Sequence, residues 1–225
     1  MDGFAALLAS YSLEGVGYII AGTFLVVAID QSAPGWVGTS AWVLVGLAAV
    51  PSAALWAGLS RRWSRPSLLT AALTVQVIGI ALLALVGGVG PALVSAALFG
   101  GTFLGIATLA LAIGAQIGTP RSVAVLTAAY SVGQIVGPII VTPLLYAGYH
   151  QALIAGAAVV ALAAVAAGLL RPALVTAPDQ EGVNSDEYYE HELEQERELE
   201  QERERDDDYD YDHDFDHDFE RDGAA

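Results

Sequence analysis

The stretch YSLEGVGYIIAGTFLVVAI, Tyr11 to Ile29, places one carboxylic acid, Glu14, inside a run that otherwise suits lipid. At helical spacing Tyr11, Glu14 and Tyr18 share a face and Ser10 lies one turn from the acid, so a carboxyl and two phenols form the polar side of an apolar helix. Glu14 stands about ten residues into this segment, which at about 1.5 Å per residue brings it near the middle of a bilayer. An ionisable group at that depth is costly against lipid and must face protein or a water-filled cavity. Two chemistries suit it. In one, Glu14 binds and releases a proton or holds a cationic substrate within a central cavity. In the other it is a packing acid, kept neutral or accepting hydrogen bonds from a neighbouring helix.

Gln76, Gln116 and Gln134 are further candidates for the same polar lining, since each amide carries donors and an acceptor that need partners away from water. Interhelical hydrogen bonding is the competing role for each. Thr23, Thr102 and Thr108 can return their hydroxyls to their own backbone. The chain contains no phosphate-binding glycine loop, no H-E-x-x-H and no G-x-S-x-G, so nothing points to an enzyme, a cofactor or a metal site. Cysteine is absent, which excludes disulfides and thiol chemistry.

The elements that must position these groups follow from an uneven composition. The 225 residues are 55% hydrophobic, yet the formal net charge is −16. The two properties occupy different segments: up to Arg171 the charged residues are Asp2, Glu14, Asp30, Arg61, Arg62, Arg65, Arg121 and Arg171, and every other acid lies beyond Pro172. The chain therefore reads as an all-α bundle over residues 1–172 followed by an acidic, low-complexity tail over 173–225. A bilayer core takes about 20 apolar residues of helix, and six segments of that length fit between Gly, Pro and polar punctuation. They run from Phe4 to Ile29, Trp36 to Leu59, Ser67 to Val86, Ala92 to Ile117, Ser122 to Tyr146 and Ala152 to Leu170. The N-terminus has no basic stretch before its apolar run, so the first segment is expected to be a retained helix and not a cleaved signal.

Charge distribution orients the bundle independently of hydropathy. Arg61, Arg62 and Arg65 follow the second segment, Arg121 the fourth and Arg171 the sixth, which puts all five on one side. That side is cytoplasmic by the positive-inside rule, and both termini are expected to be cytoplasmic at a cell membrane. Small residues are clustered as well. Gly101 and Gly105, Gly114 and Gly118, and Gly133 and Gly137 are G-x-x-x-G pairs that let a neighbouring backbone approach. Pro51, Pro138 and Pro143 each remove a backbone donor from a helical run and predict bends.

These residues also carry a resemblance. YSLEGVGYIIAGTFLVVAI, through Glu14-Gly15 and Gly22-Thr23-Phe24, together with LFGGTFLGIATLALAIGAQ, through Gly100, Gly101, Thr102, Phe103 and Gly105, is similar to the second half of major facilitator superfamily transporters of the YbfB/YjiJ-like branch. GLSRRWSRP resembles the superfamily's cytoplasmic loop pattern at Gly58, Arg62 and Arg65, but Arg61 stands where the acid would be and Ser64 where a glycine would be. GQIVGPIIVT resembles the antiporter signature at Gly133, Gly137 and Pro138, with Val141 and Thr142 in place of the closing glycine pair, so antiport does not follow. The resemblance implies a solute:proton secondary transporter or an efflux protein built from two six-helix halves, of which this chain supplies one. A second half, either another copy or a separate chain, is then the expected partner, beside membrane lipid and a small-molecule solute; nucleic acid is not expected. The alternative is a truncated or scaffolding membrane protein that transports nothing and anchors its acidic tail.

The tail contains ELEQERELEQERER and then DDDYDYDHDFDHDFERD. Its first part is rich in helix formers, whereas the aspartate block has too few apolar residues to fold and is expected to be disordered. His213 and His217 sit among aspartates without a preorganised metal geometry, so a solvated tail is the expectation. An anionic cytoplasmic leaflet should repel it into the cytoplasm.

Overall fold

A computed structural model describes residues 3–32, 35–86, 88–117, 120–170 and 197. Every described element is helical: α1 Gly3–Ser32, α2 Gly35–Leu59, α3 Arg65–Val86, α4 Val89–Gln116, α5 Ser122–Val141, a 3-10 segment Thr142–Ala147, and α6 Tyr149–Gly168. Six of these contain stretches long and apolar enough to cross a bilayer. The expected segments match within a few residues, and the differences have local causes. α3 and α4 begin earlier than their apolar runs because Pro66 and Pro91 fit a first helical turn, where no backbone donor is needed. After Val141 the chain tightens into 3-10 geometry around Pro143, and Gly148, at φ 113°, turns it into α6. Of the acidic tail only Arg197 falls within the described residues, helical and exposed; the expectations for the rest, including His213 and His217, lie outside them.

The gaps between successive helices are too short to run back along a helix of 20 or more residues, so neighbours in sequence alternate in direction. Packing does not follow sequence order. α1 packs on α5 and α6, α4 packs on α2 and α3, and α3 packs on α6. Exchanging the first three helices with the last three reproduces this pattern, and an odd number of alternating helices makes the second set inverted relative to the first. Pro51 and Pro138 occupy the same position from the start of α2 and α5, the two helices that this exchange relates.

The exchange also sorts the helices by burial. About half of each span in α1, α3, α4 and α6 is buried, against 11% in α2 and 17% in α5. The central four enclose a core of Leu7, Ile20, Leu73, Ile80, Phe99, Ile106, Leu153 and Val160. α2 and α5 flank it and leave Val43, Leu47, Val50, Ile135, Ile139 and Ile140 exposed, a surface for lipid or another apolar protein face.

Glycines set the distance of the flanking helices. A Cβ at Gly133 would stand 2.6 Å from the Ser12 carbonyl oxygen, and one at Gly137 would stand 2.9 Å from that of Val16, so α5 lies backbone to backbone on α1. On the equivalent seam a Cβ at Gly100 would run into the Val45 backbone and one at Gly105 into the Trp56 indole. Gly101 is different: a Cβ there meets nothing within 4 Å, and its contribution is its carbonyl. That oxygen accepts from Ser52 Oγ at 2.8 Å and Trp56 Nε1 at 2.9 Å, while the Gly105 N–H donates to Ser52 Oγ at 3.1 Å. One hydroxyl of α2 thus bridges the two backbone groups of α4 that pair with each other in a regular helix.

Candidate functional site

Glu14 sits in the middle of the α1 span and is 2% exposed. Its Oε1 accepts a 2.7 Å hydrogen bond from Gln76 Nε2 of α3. Gln76 Oε1 in turn accepts from Thr102 Oγ1 of α4 at 3.0 Å, and the same hydroxyl lies 2.8 Å from the Leu98 carbonyl. With a single proton to donate, Thr102 serves one of these acceptors at a time. Gln76 reaches this position because it interrupts an otherwise apolar stripe of α3, Leu69, Leu73, Ile80 and Leu83, that faces the core. Glu14 Oε2 is buried and has no hydrogen-bond partner; among the described residues Ser95 Oγ shares that condition. An unmet acceptor in such surroundings costs about 1–3 kcal/mol.

Near the acid stands a group of aromatic rings. Tyr11 stacks on Tyr130 of α5 with centroids 4.6 Å apart, and Tyr18 stacks on Phe103 of α4 at 4.4 Å and on Phe99 at 5.3 Å. Tyr18 and Tyr130 are 6.4 Å apart, which links the two stacks. The hydroxyls of Tyr11, Tyr18 and Tyr130 all lie within electrostatic reach of Glu14. Tyr11, Glu14, Gln76 and Thr102 are enclosed or nearly so, whereas Tyr18, Phe103 and Tyr130 are half-buried.

The structure therefore brings together Glu14, Tyr11, Tyr18 and Gln76 from the sequence-based candidates and adds Thr102, Tyr130, Phe99 and Phe103. Gln134 is half-buried and interacts with the Tyr130 hydroxyl, which puts it at the edge of the group. Gln116 is not part of it: it is the last residue of α4, exposed, and about 20 Å along the helix from Thr102. Ser10 turns to α6, where its hydroxyl donates to the Ala163 carbonyl at 2.9 Å. Arg61 and Arg62 are exposed beyond the end of α2 and Arg65 opens α3, about 16 Å along that helix from Gln76. Gly133 and Gly137 act on the seam between α5 and α1, with Pro138 the next residue inside α5, and Tyr130 lies on the same stripe as the glycines, a spacing signal that the sequence did contain. Thr102 was legible only as a residue bonded to its own helix; its second partner depends on where α3 crosses α4. Among the described residues no group of three or more His, Asp or Glu could hold a metal ion.

Six bilayer-length helices with a buried polar chain at mid-depth define a polytopic membrane protein. The family model described as "Uncharacterised MFS-type transporter YbfB" matches residues 1–168, and the chain belongs to that family of membrane transporters. No curated protein matches it.

Proposed function

We propose that the chain is one six-helix half of a proton-coupled secondary transporter that moves a small solute, and that Glu14 is its coupling acid. The observation that carries this reading is the divided carboxylate. Oε1 is held by Gln76, which orients the group, while Oε2 is buried without a partner and is free to take up a proton or meet a solute. A purely structural acid would be expected to have both oxygens satisfied, so the same atom speaks against a scaffold that merely anchors its tail. Alternating access needs two bundles moving about a central site, and the exposed apolar faces of α2 and α5 would serve a second half, either another copy or a separate chain. The test is a pH-sensitive dye trapped in vesicles holding this chain and its second half, challenged with a panel of small organic solutes. Solute-dependent proton movement is the expected result; its absence from a folded, paired assembly overturns the reading.

In the proposed orientation both termini and the five core arginines are cytoplasmic. Single cysteines introduced at Ser64, between α2 and α3, and at Ser32, the last residue of α1, should then react with an impermeant reagent from inside and outside respectively. Reversed labelling inverts the topology. We further assign residues 173–225 to a separate acidic tail that the bundle does not need. Truncation after Pro172 should leave membrane insertion and the helical content of the spans unchanged, since the tail offers no apolar face to bury. Loss of inserted protein would show that the tail folds against the spans.

A further inference from the structure

We infer that Glu14 and the rings beside it form a binding site for a lipophilic organic cation. The inference rests on the transport reading above and names the class of its solute.

Three features of the site point to a positive charge on an apolar body. The first is the acid itself: Oε2 of a residue 2% exposed has no partner, and an N–H donor or a diffuse cationic centre would supply the missing one. The second is the wall. Five rings from α1, α4 and α5, Tyr11, Tyr18, Phe99, Phe103 and Tyr130, form linked stacks, three of them tyrosines within electrostatic reach of the carboxyl, and aromatic faces carry negative electrostatic potential. A cation within about 6 Å of such a ring is attracted, and more strongly where water is excluded. The third is what the interior lacks. Arg61, Arg62, Arg65 and Arg121 stand at helix ends, so among the described residues no fixed positive charge competes for Glu14 or would receive an anionic solute.

The polar inventory disfavours a hydroxyl-rich neutral solute. Gln76 spends its amide on Glu14 and Thr102, Ser10 is bonded to α6, and Ser52 is bonded to α4. The phenol hydroxyls of Tyr11, Tyr18 and Tyr130 are then the polar groups left beside the acid, too few to replace the hydration of a sugar-like molecule. Tyr18, Phe103 and Tyr130 are half-buried, so part of this aromatic group is accessible to a bulky apolar cation. Aromatic burial supplies affinity there, and the carboxylate supplies the choice of sign.

The probe is tetraphenylphosphonium, with tetraphenylborate as its counterpart of similar shape and opposite charge, measured by equilibrium dialysis against the full chain in lipid nanodiscs. Saturable binding of the phosphonium, at least about tenfold tighter than that of the borate, is the expected result. Glu14→Gln should reduce phosphonium affinity about tenfold or more, with unchanged helical content, while Glu14→Asp, which keeps the charge, retains most of it. Tyr130→Leu should weaken binding several-fold and Tyr130→Phe should not, because the ring and not the hydroxyl makes the contact. No saturable phosphonium binding, equal binding of both ions, or undiminished affinity in Glu14→Gln each overturns the inference. Binding is read at equilibrium without any flux, so the two proposals fail separately. Phosphonium binding without solute-coupled proton movement leaves this site standing and sinks the transport reading, and coupled movement without phosphonium binding does the reverse.

Discussion

Replacing Glu14 by glutamine abolishes gradient-driven solute flux, to the level of vesicles without protein, and leaves the amount of folded protein unchanged. This is the expected result for a reconstituted assembly of the chain with its second half. Glutamine has nearly the same size, and its amide oxygen can still accept the Gln76 hydrogen bond that Oε1 accepts at 2.7 Å. What it lacks is the titratable proton and the negative charge, so only a role that needs them is lost. Glu14→Leu is the contrasting variant. It strands the Gln76 amide in the core beside Thr102, a cost of about 1–3 kcal/mol, and should lower the yield of folded protein as well as flux. Normal flux in the glutamine variant would reduce Glu14 to a packing acid. Loss of folded protein with glutamine as well as with leucine would point to the same conclusion.

The second large effect is expected at the seam between α1 and α5. Alanine at Gly133 would put a methyl 2.6 Å from the Ser12 carbonyl oxygen, and alanine at Gly137 would put one 2.6 Å from Ile19 Cγ2 and 2.9 Å from the Val16 carbonyl oxygen. Backbone cannot yield as a flexible side chain can, so α5 must move away from α1. Each substitution should cost about 1–3 kcal/mol, and the pair should lower thermal stability in detergent more than either alone. The shift also separates Tyr130 from Tyr11, now stacked at 4.6 Å, so binding at the aromatic wall should fall with stability. Gly101→Ala is the control, because its Cβ would meet open space. Equal stability of the Gly101 and Gly133 variants would show that close packing of α5 does not depend on these glycines.

Much of this arrangement was legible before the structure. The six spans could be counted because a bilayer imposes a length, and length and punctuation are local properties. Glu14 was conspicuous for the same reason: one acid in an apolar run is visible without knowing its neighbours. Its partner was not. Gln76, Gln116 and Gln134 look alike in sequence, each an amide in an apolar helix, yet one bonds the acid, one sits at the rim and one is exposed at a helix end. Which applies depends on the height and rotation at which helices far apart in sequence meet. The G-x-x-x-G motif was informative in the same partial way. Gly133 and Gly137 set an interhelical distance, whereas Gly101 contributes its carbonyl and Gly100 takes the close contact.

By itself the sequence determined the lipid solvent of the bundle, the six bilayer-length spans among the described residues and the presence of one acid at mid-depth. All of these follow from counting residues along a single helix against the thickness of the hydrocarbon layer. Only the tertiary structure decided that α1 turns away from its neighbour α2 to pack on α5 and α6, and that the two sets of three helices share one inverted pattern. It also decided that Glu14 meets Gln76 of α3 and that tyrosines of α1 and α5 gather within electrostatic reach of it. The physical reason is that apolar helix surfaces in lipid have no hydrophobic preference among partners. Which helices pair, and therefore what the acid faces, is settled by close packing at glycines and by a few interhelical hydrogen bonds, and both exist only once the bundle has formed.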